Sequence, residues 1–168
     1  MHLPQRTLVQ ACCERISLLS TPTALTKGCR FVNITEEEDF TSRKGAQIAI
    51  DALRGPRDAI WFAPPCTGES TWQRLNIVRH PNLLPKLQAD RALFIRLFKS
   101  FKLVVRNAMA VKAQVLMELP RYCGYWKYPS VEKFLRKHQF DTCAFDGCQY
   151  GLTTLDGTQP MHKPWRVL

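Results

Sequence analysis

The chain has 168 residues, 45% of them apolar and 23% charged, a balance that suits one folded domain with its own core and excludes a disordered tail. Lysine and arginine outnumber aspartate and glutamate 24 to 14, and the resulting charge of +10 favours contact with polyanions. No run reaches the roughly 18–20 apolar residues of a membrane span, the opening MHLPQRTLVQACC lacks the ordered regions of a signal peptide, and the seven cysteines, an odd number, read as reduced thiols, so we expect a soluble intracellular protein, in nucleus or cytoplasm, that contacts nucleic acid and no membrane.

In chain order, Thr7–Cys13, Cys29–Thr35, Ala59–Ala63 and Val115–Leu119 are short apolar runs bounded by polar residues, Gly or Pro, the pattern of buried parallel strands. Between them, Ser42–Leu53 reads as a helix behind a Thr41 or Ser42 cap. Pro85–Asn107 reads as a long helix, with Leu87, Leu93, Phe94, Leu97, Phe98, Phe101, Val104 and Val105 on a core-facing stripe. Its cations, Lys86, Arg91, Arg96, Lys99, Lys102 and Arg106, fall largely elsewhere and form a solvated face or a rail for nucleic acid. Pro129–His138 reads as a third helix. The segment 140–168 is richer in Gly, Pro and isolated polar residues, and is expected to add short strands and loops, with WRVL as an edge strand. Alternating strands and helices imply an α/β fold with a mostly parallel, Rossmann-like sheet, in one domain over residues 1–168 with 140–168 as a loop-rich extension.

In such a sheet, ligands bind beyond the C-terminal ends of the strands. Three strand ends carry reactive residues: Pro64-Pro65-Cys66-Thr67-Gly68 after the third, Glu118-Leu119-Pro120 after the fourth, and the acidic run Glu36-Glu37-Glu38-Asp39 after the second. Two prolines stiffen the first of these turns and Gly68 permits close approach, a suitable mount for a nucleophilic thiol and equally for an inert cysteine in a tight turn. Tyr122, Tyr125, Trp126 and Tyr128, interleaved with Arg121 and Lys127, suit base stacking and phosphate contact, or a packed loop at the sheet edge. Trp72-Gln73-Arg74 reads as a mobile or plain surface loop. A zinc site from His138, Cys143, Cys148, Cys123 and His162 has poor spacing, and Cys12 and Cys13, adjacent on a strand, would point to opposite faces, so no metal is expected. A deaminase is excluded because no H-x-E or PC-x-x-C element occurs.

The order of these segments resembles the cytosine-5 nucleic-acid methyltransferase family. Asp58–Ser70, read DAIWFAPPCTGES, is similar to its strand and PPC-x-x-x-S loop; RALFIRLFKSFKLVVRNAMAVKAQVLMELP is similar to the helix and strand leading to its glutamate turn; and Gln149-Tyr150-Gly151-Leu152 with Lys163-Pro164-Trp165-Arg166-Val167 is similar to a stretched form of its last element. The resemblance implies a sheet of the S-adenosylmethionine-dependent methyltransferase type and S-adenosylmethionine as cofactor. Cys66 would attack C6 of a flipped cytosine, Glu118 would act at N3, and Arg166 would complete the catalytic set. It further implies cofactor contacts from Cys13, Glu14, Thr35, Glu36, Asp39 and Pro64, and nucleic-acid contacts from Ser70, Arg74, Arg121, Tyr125 and Lys163. Where that family has a glycine-rich turn after its first strand, this chain has no glycine between Leu3 and Lys27. The alternative is a non-catalytic nucleic-acid-binding or assembly module of the same fold, from a mobile element or a larger polyprotein. An amino-methyltransferase is a third reading, weakened because Cys66 stands where its final aromatic residue belongs.

Overall fold

The computed structural model describes residues 6–15, 17–20 and 28–168, without the side chains of Leu18 and Arg74. Two compact units divide the chain, one within Met1–Pro65 and Ala92–Met117, the other of Cys66–Arg91 and Glu118–Leu168.

The first unit is built on β1 (Arg6–Ala11), β2 (Cys29–Ile34), β3 (Ala59–Phe62) and the start of β4 (Gln114–Pro120), with helix α1 (Arg43–Ala52) and most of α3 (Leu84–Ala110). β1 lies between β2 and β3, parallel to both, and β3 pairs in parallel with β4. Ser42 caps α1 by accepting the Gly45 N–H at 2.9 Å. The stripe read from the sequence lies inward on α3, where Phe94, Leu97, Phe98, Phe101, Val104 and Val105 are buried, and Phe62 stacks on Phe101 with ring centroids 4.3 Å apart. Two buried polar residues set the strand ends. The Asp58 carboxylate accepts the N–H groups of Thr7 (2.8 Å), Arg54 (2.7 Å) and Gly55 (3.1 Å), fixing the start of β1 against the turn that leads into β3. Gln10, next to the last residue of β1, donates to Ser20 Oγ and Asn33 Oδ1 and accepts from Ser17 Oγ, so the chain after β1 is tied back to the sheet.

The second unit holds α2 (Trp72–Arg79), α4 (Pro129–His138), β5 (Cys143–Asp146) and β6 (Pro164–Val167). β6 runs antiparallel between the end of β4 and β5, so WRVL is paired on both sides and β5 forms the edge. Leu87, Leu119, Cys123, Tyr125, Trp126, Val131, Phe134 and Val167 are its buried apolar residues. The strand order is β2-β1-β3-β4-β6-β5, a six-stranded mixed sheet, mostly parallel, packed with helices. Among the described residues no helix is long and apolar enough to cross a membrane.

Candidate functional site

The register of the first unit brings three strand ends to one rim: Ala11 lies opposite Ile34 on one side and Phe62 on the other. The last backbone bonds, Cys12 N–H to Ile34 O at 3.0 Å and Ala63 N–H to Ala11 O at 3.2 Å, hold the three outgoing loops together. Strand order reverses here, from β1 outward to β2 and then back across to β3, the switch point at which open α/β sheets form a crevice. A cavity of about 630 Å³ opens there, lined by Cys12, Cys13, Glu14 and Arg15 from the first loop, Thr35, Glu36, Glu37, Asp39, Phe40 and Thr41 from the second, Pro65 from the third, and Leu93 and Leu97 from α3.

Each loop takes its path for a local reason. Cys12 leaves β1 with φ of 67°, in the left-handed region usually given to glycine, so the chain turns sharply at the strand end without one. The expected strand through Cys13 therefore stops at Ala11, and both cysteines line the cavity in place of alternating across a strand. Burial pushes the Cys12 thiol up to about 12 and raises that of Cys13. In the second loop the Glu38 carboxylate accepts the Thr35 N–H and hydroxyl at 2.8 and 2.7 Å, bonds that hold its pKa below the ordinary value. Glu38 thus fastens the loop, while Glu36, Glu37 and Asp39 face the cavity. Gly45, in the first turn of α1, is packed against this loop: a Cβ there would lie 2.6 Å from Glu38 O and closer still to Asp39 O. Four carboxylates and one guanidinium line the cavity, with Arg15 3.6 Å from Glu37, and Phe40, Leu93 and Leu97 supply its apolar wall.

In the second unit the residues after Pro65 form a 3-10 turn, Thr67–Glu69, with half-buried Cys66 at its start. Glu69 anchors this turn. Its Oε1 lies 2.8 Å from Arg91 Nε and accepts the Tyr128 hydroxyl at 3.1 Å, and Arg91 also donates to Gly68 O at 3.1 Å. Gly68 and Gly124 allow the approach: a Cβ on Gly68 would run into the Tyr125 hydroxyl and lie 3.0 Å from Arg91 N, and one on Gly124 would run into Glu69. The loop of Cys66 therefore packs on the turn that follows Glu118. Burial pushes the Cys123 thiol up to about 12, with the neighbouring Cys66 and Glu69 adding to the rise. Burial and the Glu69 carboxylate push the Tyr128 hydroxyl to about 12 as well.

Of the expected cofactor contacts, Cys13, Glu14, Thr35, Glu36 and Asp39 line one cavity, and the proline on its wall is Pro65, since Pro64 is buried. Cys66 and Glu118 both belong to the second unit, Glu118 on β4 opposite Val167. Arg166 lies on β6 with its guanidinium carbon 4.8 Å from the Trp126 ring centroid. Ser70 lines a small pocket of about 80 Å³ beside Arg91 and Tyr122. Arg121 binds Pro164 O through its backbone at 2.9 Å, and Lys163 sits over the Trp165 ring. Tyr125 is fully buried, its hydroxyl bonded to Asp90 O at 3.3 Å, so it packs the turn and offers no stacking surface; Tyr122, two-thirds exposed, does. The side chain of Arg74 lies outside the described residues, and its backbone belongs to α2, a helix where a loop was expected. Trp72, Leu75 and Val78 are exposed on that helix.

Sequence reasoning missed Cys12, Arg15, Phe40, Leu93, Leu97 and Gly45. Phe40, a lone aromatic closing the acidic run, was the available signal for an apolar cavity wall. Among the described residues no three His, Cys, Asp or Glu side chains gather as a metal site. A scan against protein-family models and searches of curated proteins and of solved structures find no match for this chain.

Proposed function

We propose that the protein is a divergent cytosine-5 nucleic-acid methyltransferase-like protein with a sheet of the S-adenosylmethionine-dependent type. The observation that carries this reading is the cavity at the switch point: five residues expected to contact the cofactor line it, together with Pro65, the residue before Cys66 in the chain. The cavity's volume falls within the ordinary range for small-molecule sites, and its contents suit the cofactor. Glu36, exposed just beyond the end of β2, suits the part of an acceptor for ribose hydroxyls. Phe40, Leu93 and Leu97 suit the adenine ring, and the excess of carboxylates suits a sulfonium cation and an ammonium group. The left-handed Cys12 supplies the sharp turn that the missing glycines would have made, which favours the enzyme over the non-catalytic alternative.

The bound cofactor would supply an electrophilic methyl group. The chain's part is to add the Cys66 thiolate to C6 of cytosine, opening the C5–C6 double bond and giving C5 carbanion character, while Glu118 hydrogen-bonds N3 and limits charge build-up in the ring; after methylation, loss of the C5 proton expels the Cys66 thiolate and restores the double bond. The Glu69–Arg91–Tyr128 network holds the Cys66 turn in one geometry, as a nucleophile requires. Exposed Trp72 and Tyr122 offer faces for unstacked bases.

An oligonucleotide containing 5-fluorocytosine tests the nucleophile, because fluorine at C5 blocks release of the enzyme after methyl transfer. With S-adenosylmethionine present, a covalent adduct stable to denaturation is expected from the wild type and not from Cys66→Ala. Equal adduct from both proteins would remove Cys66 from the mechanism.

A further inference from the structure

Within the first unit, α1 and α3 enclose a second cavity, of about 490 Å³, distinct from the one at the strand ends. Its wall carries four cations, Arg43, Lys99, Lys102 and Arg106, together with the hydroxyl residues Thr41 and Ser42, and no acidic residue. Among the described residues none of the four cations forms an ion pair. The nearby Asp39 is engaged, its Oδ1 accepting the Thr41 N–H at 3.0 Å and the Thr41 hydroxyl at 2.6 Å.

Two features show that this charge is arranged and more than a solvated helix face. Lys99, Lys102 and Arg106 stand at i, i+3 and i+7 on one side of α3, a row about 10 Å long by helical rise, long enough to meet successive phosphates of one strand. Opposite them α1 begins, and its first turn carries Arg43 and Lys44 with no acid. Cations at a helix N-terminus oppose the macrodipole, so helix stability disfavours this choice, and a bound anion would offset the cost.

We infer that this groove is a phosphodiester-binding surface that takes the backbone of a nucleic-acid strand independently of its sequence. Arginine and lysine side chains are the usual donors to backbone phosphates. Leu103 is the exposed large apolar residue on the cavity wall, and Ile95 and Met109 are exposed singly further along α3; a row of cations facing α1 with apolar residues scattered in this way fits an extended polyanion better than a lipid surface, which would need a contiguous inserted apolar face. The surface is separate from the Cys66 turn and does not rest on the methyl-transfer reading.

Fluorescence anisotropy with a labelled oligothymidylate, without cofactor, tests it. The triple variant Arg43→Ala, Lys102→Ala, Arg106→Ala is compared with Lys133→Ala, Arg136→Ala, Lys137→Ala, which removes equal charge from exposed positions on α4. The groove variant is expected to bind about tenfold or more weakly, with the slope of log affinity against log salt reduced by about 2, as loss of three phosphate contacts to a single strand requires; the control should change by less than about threefold. On the wild type, Lys99 and Lys102 should be protected from acetylation by the oligonucleotide, a result that needs no variant to fold. Equal weakening by the two triples, no binding by the wild type, unprotected lysines, or binding to phosphatidylserine vesicles without binding to the oligonucleotide would each overturn the inference. Because the probe contains no cytosine, failure of the Cys66 adduct leaves this result standing, and the reverse holds too.

Discussion

Glu69 Oε1 lies 2.8 Å from Arg91 Nε, and this pair fastens the turn that begins at Cys66 to the start of α3. Both side chains are partly shielded from water, and Glu69 also receives the Tyr128 hydroxyl. Removing the cation strands the carboxylate and frees Gly68 O. Arg91→Ala should therefore lower stability by about 1–3 kcal/mol, a fall in Tm of several degrees for a chain this size, and reduce adduct formation at Cys66 by more than that loss explains. Arg91→Lys, which keeps the charge without the planar fork, should recover part of the stability and little of the reactivity. Thermal unfolding and adduct yield measured on the same proteins check this.

Gly68→Ala should act on the same turn by sterics alone. The added methyl meets the Tyr125 hydroxyl and the Arg91 backbone nitrogen, neither of which can withdraw without disturbing packed structure. The expected cost is about 1–3 kcal/mol, read from chemical denaturation. A neutral result would show that the turn repacks freely.

Asp58 gives a pH-dependent prediction. Burial alone would raise its pKa, but the bonds it accepts from Arg54, Thr7 and Gly55 outweigh this and hold it below the ordinary value. A lowered folded pKa contributes stability that is complete above the unfolded value, about 3.9, and is lost as pH falls through the folded one. Asp58→Ala should cost on the order of 3 kcal/mol at pH 7 by leaving buried N–H groups without a partner. The gap between wild type and variant should stay constant down to about pH 5 and narrow below about pH 4. Denaturation curves across that range measure it.

Thiol chemistry separates the cysteines. Cys12 and Cys123, both pushed up to about 12, are thiols at pH 8, whereas Cys143 is exposed. Since the thiolate is the reactive form, brief alkylation at pH 8 followed by peptide mass spectrometry should label Cys143 well before Cys12 and Cys123. Early labelling of Cys123 would mean that the turn after Glu118 opens readily.

The parallel half of the sheet was legible because its strands appear as short, mostly apolar runs bounded by polar residues, Gly or Pro; α1, α3 and α4 end within a few residues of their expected limits. α2 was hidden because Trp72, Leu75 and Val78 point to solvent and leave no core-facing period. The end of β1 was misjudged because a cysteine takes the left-handed conformation usually marked by glycine. WRVL lies inside the sheet because β5, a strand without a strong apolar run, covers its outer edge. Five of the six residues named for the cofactor share one cavity because strand ends in register must share a rim. Leu93 and Leu97, which reach the cavity from a distant helix, were read only as core. Tyr125 was misread because an aromatic interleaved with cations looks the same whether it faces solvent or fills a turn.

The cavity at the strand ends carries the central claim, and calorimetric titration with S-adenosylmethionine tests it most directly. The account predicts saturable heat at one site in the wild type and affinity lowered by about tenfold or more in Glu36→Ala, the loss expected when a charged acceptor is removed. No heat from the folded wild type at millimolar cofactor, or undiminished binding by Glu36→Ala, would contradict it.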